Sequence, residues 1–285
     1  MTQPEMSRRT FLKKAAIKWS SLSILGFSGV YAFGIEPHWI DITHETISLS
    51  TLPKSFIGTR IVHISDLHLG FYMDTDDLIE LVLQIQQLQP DLLCFTGDLV
   101  DHDPAISLAA IPYLKKLQAP LGKFAVLGNH DYQRNAAVVT QSLTKGGFQV
   151  LNNSHRILRK HTDQIAIIGV EDQLMGQPNL AKACEGLSKT CSILLSHCPD
   201  FAEEITSFPI GLQLSGHSHG GQVRLPFVGH LMTPTYAKKY VEGLYQMEEN
   251  ELQVYVNRGI GTTILPVRFF CRPQISVIEL KKAKP

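Results

Sequence analysis

Arg60-Ile61-Val62-His63-Ile64-Ser65-Asp66-Leu67-His68 decides how the rest of the chain is read. Its first residues are β-branched and largely apolar, the composition of a strand buried on both faces. They run directly into a carboxylate and an imidazole two positions apart. Along an extended chain residues i and i+2 point to the same side, so Asp66 and His68 are expected to face one point, with His63 packed inside the strand. The pattern recurs twice. Asp91-Leu92-Leu93-Cys94-Phe95-Thr96 leads into Gly97-Asp98-Leu99-Val100-Asp101, and residues 124–127 lead into Gly128-Asn129-His130-Asp131. Ligands of open α/β sheets bind beyond the carboxyl ends of the strands, so the three polar turns should converge.

Between these strands the apolar spacing predicts helices over 75–89, 105–117 and 136–145, the first capped by Asp74 or Thr75 and stopped by Pro90. Further strands are expected over 148–151, 165–170, 192–195, 212–215, 254–256 and 275–280, with a weakly specified helix between Pro178 and Leu187. Glu171-Asp172 ends one strand and faces either substrate or solvent. Another ends in Ser196-His197-Cys198-Pro199-Asp200. Residues 212–215 open into Gly216-His217-Ser218-His219-Gly220-Gly221, where two imidazoles sit in a loop whose glycines let the backbone approach an ion. A side chain at Gly220 or Gly221 is expected to crowd the space a phosphate needs.

The 285 residues, 44% of them hydrophobic, suffice for one large core. Charge is uneven. Residues 1–34 hold five basic side chains against Glu5, leaving 21 basic and 25 acidic groups in the remainder, a net of −4. A mildly acidic body lacks the electrostatic footprint of a nucleic-acid binder, so no nucleic-acid binding is predicted. The five cysteines show no CxxC spacing, which argues against a zinc knuckle; Cys184 and Cys191 are the pair an exported domain would join.

Ser7-Arg8-Arg9-Thr10-Phe11-Leu12-Lys13 resembles the twin-arginine export signal, followed by an uncharged run of 17 residues from Trp19 to Ile35. Residues 1–35 are therefore expected to be an export signal recognised by the twin-arginine translocase. It is either cleaved after a small-residue site or kept as an anchor in the cytoplasmic membrane, with the remainder periplasmic or tethered there. Residues 36–55 read as a polar connector and 56–285 as the globular domain.

The donors at the strand ends, Asp66, His68, Asp98, Asn129, His197, His217 and His219, combine carboxylate, amide and imidazole without thiolate. That mixture suits Mn, Fe or Zn. Seven donors exceed the needs of one ion, and two divalent metal ions about 3.5 to 4 Å apart are the usual device for phosphoester hydrolysis.

The order DxH, GDxxD, GNHD, HxP and GHxHGG over residues 60–280 resembles the calcineurin-like metallophosphoesterase superfamily. The paired arginines, Asn257-Arg258-Gly259-Ile260-Gly261 and Cys271-Arg272-Pro273 are similar to its exported phosphodiesterases of the YaeI and YkuE type. The resemblance implies an α/β fold, a four-layer αββα sandwich of two mixed sheets flanked by helices. It implies that Asp66, His68 and His219 hold one metal and Asn129, His197 and His217 the other, bridged by Asp98. His130 would be the catalytic histidine, serving in-line attack by a hydroxide shared between the metals. Asp131 would either orient its ring or cap the following helix. Arg258 is a candidate for substrate charge or for a surface ion pair.

The substrate expected is a phosphodiester; a UDP-2,3-diacylglucosamine pyrophosphatase of lipid A synthesis and a non-catalytic metal-dependent scaffold are the alternatives. The apolar stretches 223–232 and 264–270 either fold onto the core or rim the site for a lipid-linked substrate or a membrane. Replacing Arg8 and Arg9 together by Lys is expected to abolish recovery in the periplasmic and membrane fractions. Unchanged cell fractionation would overturn the export reading.

Overall fold

The computed structural model describes residues 8–187, 190–205, 208–247 and 251–283; Ser7 of the paired-arginine motif and the last two residues of the expected domain lie outside them. A helix, α1 (Arg8–Val30), continues through a wide π-helical turn over Tyr31–Ile35 into the body. No helix among the described residues is long and apolar enough to cross a membrane.

The body is two six-stranded mixed sheets, face to face. The first is assembled from β1 (Asp41–Leu49), β2 (Arg60–Ile64), β3 (Leu92–Phe95), β4 (Lys123–Ala125) and β5 (Gln149–Val150). Crossing between them are α2 (Asp77–Gln87), α3 (Ile106–Leu114) and α4 (Asn129–Lys145). Strands β2 to β5 run parallel, as helical crossovers require.

The second sheet holds β6 (Ser154–Lys160), β7 (Asp163–Gly169), β8 (Cys191–Leu195) and β9 (Leu212–Ser215), with a short helix α5 (Leu180–Ala183) on its outer face. A small hairpin, β10 (Arg224–Leu225) and β11 (Gly229–His230), stands off the body. Strands β12 (Gly243–Gln246) and β13 (Gln253–Val256) then complete the sheet, in the order β12-β13-β9-β8-β7-β6. Finally β14 (Gln274–Lys282) returns to the first sheet and slots between β1 and β2.

Three apolar layers hold this together. Successive residues of β2 and β3 alternate between two of them: Ile61, Leu92 and Cys94 face the second sheet, while Val62, Leu93 and Phe95 face α2, α3 and α4. The period of two is what buries both faces of a strand. The third layer packs Ala166, Ile168 and Leu194 against Leu180, Phe201 and Ala202. Helices, sheet, sheet and helical segments thus form the expected αββα sandwich.

Three stretches differ from the expected reading. Residues 36–55, read as a connector, contain β1, an edge strand paired in parallel with β14 through nine residues from Asp41↔Gln274 to Leu49↔Lys282. Its side chains alternate in exposure and only Ile47 and Leu49 are fully buried, so the polar face concealed the strand. Strands β6 and β12, the two edges of the second sheet, escaped for the same reason. All five cysteines are free, so Cys184 and Cys191 do not pair. The apolar stretches divide: Val267 and Arg268 are buried, but Phe227, Val228, Met232 and Ile264 are exposed.

His63 lies in β2 as expected, wholly buried, its Nε2 2.9 Å from Thr96 Oγ1. Burial holds its pKa down at about 3. It therefore stays neutral in the fold and takes up a proton on unfolding once the pH drops below about 6.5. Stability should be lost progressively from there toward pH 3. Unfolding in denaturant with chelator present should show wild type losing about 2 kcal/mol more than His63→Gln between pH 7 and pH 5. Equal losses would contradict the buried neutral state.

Candidate metal centre

The turns at the carboxyl ends of β2, β3, β4, β8 and β9 meet at the junction of the two sheets. Extended backbone is not what aims their side chains. Asp66, His68, Asp98, His217 and His219 all have positive φ, between 48° and 66°. Non-glycine residues adopt this conformation at a cost of roughly 1 to 2 kcal/mol each, and such strain clusters at functional sites. The expected i, i+2 geometry for Asp66 and His68 is thus replaced by two left-handed residues that curl the chain and leave His68 Nε2 3.9 Å from Asp66 Oδ1.

Two donor groups result, Asp66, His68 and His219, and Asp98, His197 and His217, and a third, His68, Asp98 and His130, overlaps both; in each the ligand-type atoms lie within 4.8 Å of one another. In the first, His68 Nε2 and His219 Nε2 are 3.1 Å apart, and His219 Nε2 is 3.4 Å from Asp66 Oδ1. In the second, His197 Nε2 is 3.2 Å from Asn129 Oδ1. Asp98 Oδ2 lies between the groups, 3.5 Å from His68 Nε2 and 3.3 Å from His197 Nε2.

The hydrogen bonds around the rings set their tautomers. A carbonyl or carboxylate oxygen only accepts, so the nitrogen facing it carries the hydrogen and the opposite nitrogen keeps its lone pair. His68 Nδ1 donates to Asp101 Oδ1 (2.8 Å), His197 Nδ1 to the Thr96 carbonyl (2.7 Å) and His217 Nε2 to the Thr235 carbonyl (2.8 Å). The lone pairs of His68 and His197 consequently point at Asp98.

Electrostatics follow from crowding. Asp66, Asp98 and Asp101 are all buried. At His197 burial opposes a charged ring, but Asp98 outweighs it and raises the pKa well above the ordinary value, so the site favours positive charge at Nε2, which a divalent ion would supply in place of the second proton. Burial and the neighbouring His68 depress His219. Burial, then the charge of Asp98, lift Asp131 to about 7 against the backbone donors it accepts from.

Buried carboxylates and imidazole lone pairs aimed inward, without thiolate, are the donor set of a divalent transition-metal site. Buried His219 Nδ1 has no hydrogen-bond partner, so no acceptor fixes that ring's proton. The residues fit divalent ions.

Two open alternatives are decided and one expectation changes. Asp131 does not touch the His130 ring; its carboxylate accepts from the backbone N–H of Gly128, Asp98, Leu99 and Val100 at 2.8–3.2 Å. It caps the first turns of α4 and ties the second turn to the third; the backbone then breaks at Asn135 (φ −178°, ψ 92°), whose Oδ1 accepts from Val138 N–H, so the helix expected from Ala136 does start there. The carboxylate beside His130 is Asp101, with Oδ1 3.3 Å from His130 Nδ1 and shared with His68. The GDxxD spacing contained this residue without showing that it turns inward.

Arg258 takes the second of its two expected roles: its Nη2 pairs with Asp41 Oδ2 at 2.7 Å. The expectation that changes concerns Gly220 and Gly221, which make room for protein, because a Cβ would lie 2.7 Å from Cys271 Sγ at the first and 2.4 Å from His230 Cβ at the second. The glycines that admit the site carboxylates are Gly128 and Gly216, where a Cβ would lie 2.2 Å from Asp98 Oδ1 and 2.2 Å from Asp66 Oδ2. Glu171 and Asp172 serve their own loop, accepting from the N–H of Gln177 and of Leu174 and Met175.

The sequence pattern of the calcineurin-like phosphoesterases matches residues 59–221. The metallophosphoesterase YkuE of Bacillus subtilis (strain 168), described as uncharacterized, is 43% identical over 284 residues, covering 97% of this chain and 98% of that one. Phosphodiesterase YaeI of Escherichia coli (strain K12) is 29% identical over 280 residues, 96% and 99% of the two chains. UDP-2,3-diacylglucosamine pyrophosphatase LpxG of Chlamydia muridarum (strain MoPn / Nigg) is 30% identical over 309 residues, 88% and 92%.

Asp101→Asn, which keeps the side-chain size but removes a charged acceptor shared by two rings, is expected to weaken metal affinity about 10- to 100-fold by calorimetry. Its melting temperature should change little. Asp131→Asn should instead lower the melting temperature, since it breaks the cap that joins two turns. Equal affinity in Asp101→Asn and wild type would remove Asp101 from the support of the centre.

Proposed function

This chain belongs to the calcineurin-like phosphoesterase family, and on that premise we propose that it is a phosphodiesterase working with two divalent metal ions. The observation that carries the reading is Asp98 Oδ2, set between His68 Nε2 and His197 Nε2 at 3.5 and 3.3 Å, one corner from each donor group. Asp66, His68 and His219 would hold one ion and Asn129, His197 and His217 the other, with Asp98 common to both. Mn, Fe and Zn all suit these donors. Bound there, two divalent ions lower the pKa of water and neutralise charge on phosphoryl oxygens.

The protein's own contribution centres on His130. Its ring is partly open to solvent, whereas the other site histidines are buried, and its backbone N–H donates to Asp98 Oδ1 at 2.9 Å. Nδ1 faces Asp101, donating to its backbone carbonyl at 3.5 Å with the carboxylate Oδ1 3.3 Å away, which leaves Nε2 to carry a proton to the departing oxygen. One turn further along α4, exposed Arg134 donates through Nε to the Asp101 carbonyl at 2.8 Å. With Arg258 committed to Asp41, Arg134 is the cation beside His130 suited to a non-bridging phosphate oxygen.

A second reading is cleavage of the pyrophosphate of a UDP-diacyl sugar, as the name of the LpxG relative states for that protein. The exposed apolar side chains of the hairpin that leaves the histidine loop favour it. The metal-loaded chain should be assayed side by side on bis-p-nitrophenyl phosphate, p-nitrophenyl phosphate and UDP-2,3-diacylglucosamine, with a chelated control. The diester is expected to be hydrolysed fastest, and His130→Ala to lower that rate about 100-fold or more while metal stays bound. Activity on the monoester alone would overturn the reading; preference for the UDP sugar would establish the second.

A further inference from the structure

We propose that the hairpin β10–β11, the turn at Ile264-Leu265 and helix α1 form one surface that docks on a bilayer of anionic phospholipids. The proposal stands independently of the reaction above. Phe227 at the hairpin tip is fully exposed and Ile264 is 83% exposed, with Val228, Leu231, Met232 and Leu265 also open to water. Phe227 and Ile264 both have φ of 65°, a conformation costly for bulky and β-branched residues. The chain thus holds large apolar groups outward in strained turns where glycine or asparagine would be easier.

These elements are tied to one another. Gln222 Nε2 donates to the carbonyls of Thr263 and Leu265 at 3.1 and 3.0 Å, so the foot of the hairpin is pinned to the Ile264 turn. Arg224 N–H donates to the Phe269 carbonyl (2.8 Å), and Arg268 N–H donates to the Ala32 carbonyl (3.0 Å). Tyr31 packs edge-on against Phe269. Helix α1 therefore leaves the body at the edge that displays the apolar turns. Its described side chains up to Phe27 are exposed, Phe11, Leu12, Trp19 and Phe27 among them, so the body does not cover it.

Charge selects the occupant. Residues 8–35, 222–232 and 259–273 contain no Asp or Glu, while Arg8, Arg9, Lys13, Lys14 and Lys18 are all exposed on α1. At its foot Trp39 and Phe270 are half exposed, and the Arg272 guanidinium stacks 4.7 Å from the Trp39 ring. Arg272 and the hairpin's Arg224 are already paired, with Asp41 and Glu242, so the cations left for headgroups are the five of α1; apolar groups flanked by amphipathic aromatics and these cations match the layered chemistry of an anionic bilayer surface. Partitioning would hold the metal-binding groups near headgroup level, because the hairpin begins five residues beyond His219.

The test is co-sedimentation of the full chain with phosphatidylcholine vesicles, with and without phosphatidylglycerol. Partition should favour the phosphatidylglycerol vesicles and weaken with salt. The exposed double variant Phe227→Asp/Met232→Asp should partition at least about tenfold less. An unchanged melting temperature shows that the variant is folded, and Phe227→Ala/Met232→Ala, which adds no charge, should lose partition in the same direction. Partition of both double variants equal to wild type would leave α1 alone on the membrane and overturn the proposal. So would failure of the wild-type chain to bind either vesicle, or sedimentation of the chain without lipid.

Discussion

Carboxylates buried where two sheets meet set the terms for this structure. Asp66, Asp98 and Asp101 sit at the ends of neighbouring strands with almost no access to water. Removing an ionised carboxylate from water costs several kcal/mol unless charge and hydrogen bonds compensate it. Compensation here comes from backbone N–H groups, from imidazoles whose outer nitrogens are held by carbonyls, and from the divalent ions that the donor set fits. The same crowding raises the pKa of two neighbours with opposite consequences: at His197 the charge of Asp98 favours the charged ring, whereas at Asp131 burial, and then the charge of Asp98, disfavour the charged carboxylate.

The fold supplies what that cluster needs. Parallel strands bring several carboxyl ends to one edge, and the pairing of two sheets doubles the number of turns that meet there. The turns themselves are unfavourable, since five of the donors have left-handed backbone. They persist because β2, β3, β8 and β9 are buried on both faces and cannot relax without opening the core. Gly128 and Gly216 complete the arrangement by letting backbone pass where any Cβ would meet a carboxylate oxygen.

Much of this was legible in the sequence. Strands such as 92–95 and 192–195 are continuous apolar runs, and a run buried on both faces leaves little ambiguity. The polar residues that end them are the ones the structure gathers. Strands β1 and β6 were hidden because each is an edge with a polar face, and β1 is recognisable as a strand only through a partner more than 230 residues away. Of the two roles open to Asp131 it takes the cap, and Asp101 stands beside the His130 ring instead, for a related reason. Both follow an apolar strand at similar spacing, and which of them meets the His130 ring depends on how two turns pack.

What the sequence by itself determined was the class of fold, the order of the strands that feed the site and the chemical identity of its donors. Those depend on local periodicity and on residue types, which the chain carries wherever it goes. The tertiary structure alone decided that Asp101 shares its oxygen between two imidazoles, that Arg258 turns to Asp41, and that Gly220 and Gly221 make room for Cys271 and His230. Each of these is a contact between residues far apart in the chain, and a distance of a few ångströms across two packed sheets is set by the packing of the whole core.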